Sequence, residues 1–265
     1  MNATDLLALP SMPMASPSYP AGPYRFIDRE YLIISYESDP EAIRAALPEP
    51  LQADGSNRVL CEFIRMPDSS GFGSYTESGL VIPARFNGTP VNFTAQMYLD
   101  DHPPIAAGRE IWGFPKKLGQ PKLQVLHDTL TGTLDYAGVQ VAVGTMGYKH
   151  QHLLYDLQGR KACSSVSIIE KMSATQVNLK LIPDVDGTLA IAQLVAYELV
   201  DIQVKGAWSG PARLHLVPHV NAPLADLPVR KVLGGLHFIA DLTLPYGRVI
   251  HDYIASAHQT TKAAT

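Results

Sequence analysis

Apolar and polar positions along the chain indicate β-strands more often than helices. Runs rich in β-branched and aromatic residues occur at Tyr31–Tyr36, Val59–Met66 and Val91–Leu99, and such runs are typical of strands. The pairs Asn87-Gly88 and Asp186-Gly187 offer the positive φ angles that tight hairpins require. Hairpins join antiparallel strands, so we predict antiparallel sheets.

Helical signals are fewer. The start signal Asp39-Pro40 precedes a predicted helix over Ala42–Leu47, which Pro48 ends. We predict a second helix near Leu227–Leu236, after two proline breaks. The tail Leu242–Ile254 is expected to form a final strand and a short helical end.

The order of these elements limits the fold classes that the chain can adopt. Strands do not alternate regularly with helices and no segment repeats, which favours a mainly β (α+β) fold over a parallel sheet. We expect an antiparallel, closed β-barrel-like core with a few short helices and a dry interior. Residues 1–23 are rich in Pro, Met and Ser, so we interpret them as an N-terminal arm before a single domain at 24–265.

Composition narrows the class of protein. A net charge of -4 provides no basic field, so we expect neither nucleic acid nor an anionic membrane as partner. The chain has no signal peptide pattern and no run of about 18 apolar residues. Cys61 and Cys163 lack C-x-x-C spacing, which suggests free thiols in a reducing compartment. We therefore expect a soluble cytoplasmic protein.

The segment Gly113-Phe114-Pro115-Lys116-Lys117 places two lysines after an apolar stretch. Such a pair is usually two solvated cations, since lysine is seldom buried. A nucleophilic lysine must be neutral, so its pKa must fall well below about 10.4. Burial or a neighbouring cation lowers it. In a strand the side chains of Lys116 and Lys117 would point to opposite faces, which makes burial the stronger cause.

These segments resemble the acetoacetate decarboxylase family, and the resemblance covers nearly the whole chain after the arm. The lysine segment is similar over Gly108-Arg109-Glu110 and Trp112–Gly119. Further segments similar to the family follow in order: Gly22–Tyr24, Asp28–Tyr31, Pro48–Leu51, Tyr75–Gly79, Phe86–Gly88, Gly132–Tyr136, Thr145–His150, Trp208–Leu214 and Pro223–Val229.

The resemblance implies a set of catalytic residues. Lys116 would be the Schiff-base lysine and Lys117 its adjacent partner; acetoacetate decarboxylase is itself a known example of a lysine activated by an apolar pocket or a neighbouring cation. Glu77 would transfer protons. Arg29 would either hold Glu62 and Glu77 in place or meet the substrate carboxylate, and the sequence leaves both open. No cofactor is implied, because the imine itself accepts the electron pair.

The apolar wall of the expected pocket is assigned to Phe26, Met97, Leu99 and Phe114. Such residues are usually plain core, and both roles are compatible. Phe114 stands where some relatives have a tyrosine, so a phenolic hydroxyl is absent there. We expect this difference to affect the range of substrates and to leave the lysine chemistry unchanged.

Other motifs are weak. His150 and His152 would share one face of a strand, but two histidines without a third ligand do not predict a metal site. Asp100–Pro103 reads more simply as a loop. Gly71-Phe72-Gly73 lacks the rest of a dinucleotide fingerprint. We therefore expect neither a metal nor a nucleotide cofactor.

Two rival functions stay open. The first is another Lys116 enzyme on the same scaffold: a Schiff-base aldolase or dehydratase, or a decarboxylase of a different keto acid. The second is a barrel that binds a small carbonyl compound without turnover. The family resemblance also implies a high-order homo-oligomer, a dodecamer, with the arm as a contact element.

Overall fold

The computed structural model describes residues 2–155, 169–170 and 172–257, most of which lie in strands. The helical elements are α1 (Ala3–Leu7), α2 (Pro40–Ala46), α3 (His102–Ala107), a π-helical turn (Gly108–Trp112) and a 3-10 turn (Leu224–Asp226). The strands are β1 (Tyr24–Glu37), β2 (Gln52–Ala53), β3 (Arg58–Ser69), β4 (Gly73–Phe86), β5 (Thr89–Leu99), β6 (Lys116–Leu118), β7 (Gln120–Leu126), β8 (Thr129–Tyr136), β9 (Val139–Gly147), β10 (Gln151–His152), β11 (Gln176–Pro183), β12 (Leu189–Tyr197), β13 (Val200–Gly210), β14 (Ala212–Leu216), β15 (Lys231–Leu244) and β16 (Arg248–Asp252).

Two sheets organise these strands. The larger has the order β10-β13-β15-β1-β3-β4-β5-β11-β12-β16, with β2 beside β4 and β6 beside β5. The smaller has the order β14-β9-β8-β7. Pairing is antiparallel except where β5 meets β6 and β11. The mainly β class with a few short helices is therefore confirmed.

The prediction that the barrel is closed is wrong. In the described part of the chain, the larger sheet ends at β10 and β16, and these two strands do not pair. Closing a sheet requires a continuous ladder around the whole circumference. β10 contributes only two residues, too few to complete such a ladder.

The helix predictions have mixed outcomes. α2 confirms the first helix and ends before Pro48. The prediction of a helix near Leu227–Leu236 is wrong, since β15 begins at Lys231 and pairs with both β1 and β13. Long-range pairing overrides local propensity there. The tail forms β16 and a helical turn at 253–257, as predicted.

The predicted strand runs lie within β1, β3 and β5. Asn87 and Gly88 have φ angles of 50° and 81° and join β4 to β5 in a tight hairpin, as their sequence predicts. Gly187, with a φ of 86°, lies between β11 and β12. These hairpins fix the register that brings the polar residues of neighbouring strands together.

The core has two parts. One fills the space between the sheets around Ile34, Phe63 and Leu134. The other surrounds the lysine segment and includes Tyr24 and Trp112. No described helix is long and apolar enough to cross a membrane.

Candidate active site

The two consecutive lysines lie on opposite faces of β6. Lys116 pairs with Met97 of β5 and is 7% exposed. The Lys117 side chain points the other way, and its Nζ donates a hydrogen bond to the Asn221 carbonyl oxygen at 2.5 Å. The predicted divergence is confirmed, because neighbouring positions of a strand alternate between faces. Lys117 therefore lies outside the cavity that contains the Lys116 amine.

A π-helical turn before β6 makes room for the Lys116 side chain. Gly108 opens this turn, and a Cβ atom at that position would lie 2.6 Å from Lys116 Cδ and 2.9 Å from Cε. Gly113 ends the turn with a φ of 75°, packed against the Lys180 backbone. Both positions therefore require glycine, and π-helical turns are frequent at functional sites.

Few polar groups contact the Lys116 amine. Its Nζ donates to the Pro104 carbonyl oxygen at 3.1 Å and lies 3.6 Å from Glu77 Oε2. The Phe114 ring centroid is 5.0 Å away. Burial lowers the Lys116 pKa; the Glu77 charge opposes that change and the Arg29 charge adds to it. Burial is thus the leading cause, as the strand geometry predicted.

Arg29 enters the site through a β-bulge. The pairing of β1 with β15 shifts between Phe26 and Arg29, and Asp28 within the shift has a φ of 53°. Asp241 Oδ1 accepts the Asp28 N–H at 2.8 Å and the Lys205 Nζ at 2.7 Å. Bulges commonly redirect a side chain, and here the redirected residue is Arg29.

The Arg29 guanidinium forms an ion pair, but one of its nitrogen atoms has no hydrogen-bond partner in the described structure. Its Nη2 donates to Glu77 Oε1 at 2.9 Å. Its central carbon lies 4.9 Å from the ring centroids of both Phe26 and Tyr31. Its Nε is buried without a hydrogen-bond partner. Of the two predicted carboxylate partners, the described structure gives Arg29 a hydrogen bond to Glu77 but none to Glu62.

Glu62 faces the same cavity from β3, where it pairs with Gly79 of β4 and Ile33 of β1. Burial raises its pKa to about 7; the Arg29 charge lowers that pKa and the Glu77 charge raises it. A carboxyl group that titrates near neutrality can give or take a proton at physiological pH.

The cavity has a volume of about 750 Å³. Phe26, Met97 and Phe114 line it, together with Lys116. Leu99 does not, so its place in the pocket wall is a correction. It lies on the same face of β5 as Met97 and pairs with Glu77 of β4, and the surrounding core covers it completely.

Several cavity residues escaped the sequence analysis. Tyr31, Tyr75 and Tyr197 line the cavity, and burial raises the pKa of Tyr75 and Tyr197 well above the ordinary range. The spacing of Tyr75 and Glu77 by two residues in a strand was an available signal, because it places both on one face. No comparable signal marked Tyr197.

Two side chains of the weak metal motifs accept hydrogen bonds from backbone N–H groups. His152 Nδ1 accepts hydrogen bonds from the backbone N–H groups of Leu154 and Tyr155. Asp100 Oδ1 accepts the Thr76 N–H at 2.8 Å, and Asp101 precedes the first turn of α3. Within the described ranges, no group of three or more potential ligands is arranged to hold a metal ion.

Comparisons with known proteins match this chain to one family over most of its length. The family model described as "Acetoacetate decarboxylase (ADC)" matches residues 11–254. An acetoacetate decarboxylase of Burkholderia lata is 54% identical over 245 residues, which are 92% of this chain and 95% of that protein. The crystal structure of acetoacetate decarboxylase from Legionella pneumophila is 48% identical, covers 96% of this chain and 97% of its own, and has a TM-score of 0.87.

A more distant structure shares only the fold. The enduracididine biosynthesis enzyme MppR, complexed with the condensation product of pyruvate and imidazole 4-carboxaldehyde, is 19% identical with a TM-score of 0.77. It covers 93% of this chain and 97% of its own. The family match and the much higher identity of the first two relatives decide to which family the chain belongs. This chain belongs to the acetoacetate decarboxylase family.

Proposed function

We propose that this protein decarboxylates acetoacetate to acetone and carbon dioxide through a Schiff base on Lys116. The observation that carries the proposal is the buried Lys116 amine, 3.6 Å from a Glu77 carboxylate that Arg29 also binds. Burial favours the neutral amine, which is the nucleophilic form. The 54% identity to a curated acetoacetate decarboxylase supports the substrate assignment.

The proposed reaction uses the amine as a nucleophile and the protonated imine that it forms as an electron sink. Neutral Lys116 attacks the ketone carbon, and loss of water gives a protonated imine. The bond between the α-carbon and the carboxylate then breaks, carbon dioxide leaves, and the electron pair moves into the imine to form an enamine. A proton added to the α-carbon restores the imine, and water releases acetone from Lys116. No cofactor is needed for any of these reaction steps.

The surrounding residues have distinct roles in this proposal. Glu77 lies close enough to exchange protons during imine formation, and Glu62 can supply a proton near pH 7. The unpartnered Nε of Arg29 is available to the substrate carboxylate while Nη2 holds Glu77. Lys117 has no direct part, since its side chain lies on the opposite face.

Borohydride trapping tests the proposal. Acetoacetate and borohydride should leave a reduced adduct on the peptide that contains Lys116, detected by mass spectrometry. The adduct and carbon dioxide release should both disappear in Lys116→Ala. Lys117→Ala is the matched control and should retain both. Carbon dioxide release from Lys116→Ala would refute the proposed nucleophile.

The two rival functions have their own signatures. An aldolase or dehydratase would consume pyruvate together with an aldehyde and release no carbon dioxide from acetoacetate. The shared fold with MppR gives this alternative its only structural support and does not extend to chemistry. A binding protein would return the ligand unchanged after long incubation.

We also infer a homo-oligomer, a dodecamer by family resemblance, and a cytoplasmic location. Exposed apolar side chains on the arm, such as Leu7 and Met12, support a subunit contact. The buried free thiol of Cys61 supports a reducing compartment; Cys163 lies outside the described residues. Light scattering on the purified protein tests the assembly.

A further inference from the structure

The cavity continues well past the groups that the proposed reaction uses. Arg29, Glu77 and Lys116 occupy one end, which we call the reactive end. The same cavity is also lined by a second group of residues, which we call the distal chamber: Ser35, Arg58, Leu60, Val81, Pro83 and Asn92.

Strand register fixes the separation of the two ends. Ile64 of β3 pairs with Glu77, and Leu60 of the same strand pairs with Val81. Leu60 is thus four residues from the level of Glu77, and Arg58 is six. At a rise of about 3.3 Å per residue, these steps correspond to roughly 13 Å and 20 Å along the strand. Acetoacetate, with four carbon atoms, cannot fill that length.

The walls of the distal chamber are partly apolar near the reactive end and polar farther away. Leu60 and Val81 form opposite positions of one cross-strand pair, and Pro83 pairs with Asn92 at the next level. Arg58 is exposed and lies at the far end. Ser35, which pairs with Leu60, and Thr94, which pairs with Val81, also line the cavity at this level, so the section between the catalytic charges and the polar mouth is apolar on β3 and β4 only.

The reaction dictates how a substrate R–CO–CH2–COO⁻ must lie. Its ketone carbon meets Lys116 and its carboxylate lies near Arg29, so both are held at the reactive end. The substituent R leaves the ketone carbon on the side away from the carboxylate. In acetoacetate R is a methyl group, and a longer R extends toward Leu60 and Val81.

We propose that the distal chamber binds the alkyl chain of longer 3-oxo acids, such as 3-oxohexanoate and 3-oxooctanoate, which the enzyme converts to methyl ketones. This inference rests on the proposed function. The bond between the α-carbon and the carboxylate breaks, carbon dioxide leaves, and one proton is added to the α-carbon. No reactant beyond those of the acetoacetate reaction is required.

Chain length supplies the first test. Each methylene that enters an apolar site should lower KM roughly fourfold. We expect KM to fall along the series 3-oxobutanoate, 3-oxohexanoate and 3-oxooctanoate, and to level off once the chain reaches Asn92 and Arg58. A KM that rises with chain length, or does not change, would overturn the inference.

A bulky substitution within the chamber supplies the second test. Leu60→Trp should raise KM for 3-oxooctanoate at least about tenfold by filling the space of several methylenes, while kcat/KM for acetoacetate stays within about twofold. Leu126→Trp, at an exposed position of β7 outside the cavity, is the matched control and should change neither. Equal losses for both acids would mean that the chamber is only an access channel, which contradicts the inference.

Binding of methyl ketones separates this inference from the proposed function. Acetone and 2-heptanone are titrated against the protein by calorimetry, without any turnover. Tighter binding of 2-heptanone, lost in Leu60→Trp, would support the chamber even if no 3-oxo acid were decarboxylated. Failure of wild-type protein to decarboxylate any acid would instead count against the proposed function. Equal binding of both ketones would count against the chamber.

Discussion

The charge of the Lys116 amine depends on neighbours that act in opposite directions. Burial and the Arg29 cation both favour the neutral amine, whereas the Glu77 carboxylate favours the ammonium form. Arg29 also binds Glu77 directly, so part of the carboxylate charge is offset before it acts on the lysine. The protonation state of the Lys116 amine therefore depends on its own burial and on the charges of Arg29 and Glu77.

Replacing Glu77 separates its charge from its proton transfer. Glu77→Gln removes the group that raises the Lys116 pKa, so the amine should lose its proton at lower pH. The rate of borohydride trapping should consequently reach half its maximum at lower pH than in the wild type. Turnover should fall roughly 10²–10⁴-fold, the usual contribution of a general acid or base. A shift of the trapping profile toward higher pH would contradict this account.

Gly108 limits the space beside the same amine. Gly108→Ala would place a methyl group 2.6 Å from Lys116 Cδ, so the lysine must move and imine formation should slow by at least about tenfold. Gly147→Ala is a matched control, because its Cβ would meet its nearest neighbour at an ordinary 3.6 Å. The trapping rates of the two variants, compared with their circular dichroism spectra, check this expectation.

At the scale of elements, the bulge in β1 positions Arg29. Asp28 occupies the left-handed region, and Asp241 and Lys205 hold it there. Glu30, on the other side of Arg29, accepts hydrogen bonds from Arg65 and contacts the ring of His237. Arg29 is thus fixed between two anchored neighbours.

Two substitutions at Asp28 test the bulge. Valine is strongly disfavoured at positive φ, whereas glycine is not. Asp28→Val should lower kcat at least about tenfold by misplacing Arg29, and Asp28→Gly should stay within about threefold of wild type. Asn87→Val introduces similar strain at a hairpin with a φ of 50° and should leave kcat unchanged. Full activity in Asp28→Val would show that the bulge is unnecessary.

Local patterns predicted the parts of this fold that depend on local chemistry. The strand runs, α2 and the Asn87-Gly88 hairpin follow from propensity and turn chemistry, and the divergence of Lys116 and Lys117 follows from the strand period. The bulge at Asp28 arises from its pairing with a strand about 200 residues away in the chain, which no local pattern records. The same long-range pairing turned the predicted helix at Leu227–Leu236 into β15.

The whole molecule places an ionisable carboxyl group in its interior. The Glu62 pKa is raised from 4.5 to about 7 in the folded state. Folded protein therefore keeps a proton that unfolded protein releases above pH 4.5, so this residue's contribution to stability is present below pH 4.5 and is lost as pH rises through 7.

A neutral substitute should remove that dependence. Between pH 5 and 8, the free energy of unfolding of Glu62→Gln should fall by about 1–3 kcal/mol less than that of the wild type. Urea denaturation at a series of pH values measures the difference. Glu37→Gln, at a more exposed carboxylate of β1, is the control. Parallel curves for wild type and Glu62→Gln would disprove the assignment.

The N-terminal arm is tied to the turn that precedes β6. The Tyr19 hydroxyl donates to the Glu110 carboxylate in the π-helical turn, and the Tyr24 hydroxyl donates to the Pro20 carbonyl oxygen at 2.6 Å. On heating, a peripheral segment separates from a domain before the sheets melt. Thermal inactivation should consequently precede global unfolding, and the half-life of activity near the melting temperature should be shorter than the half-life of the fold.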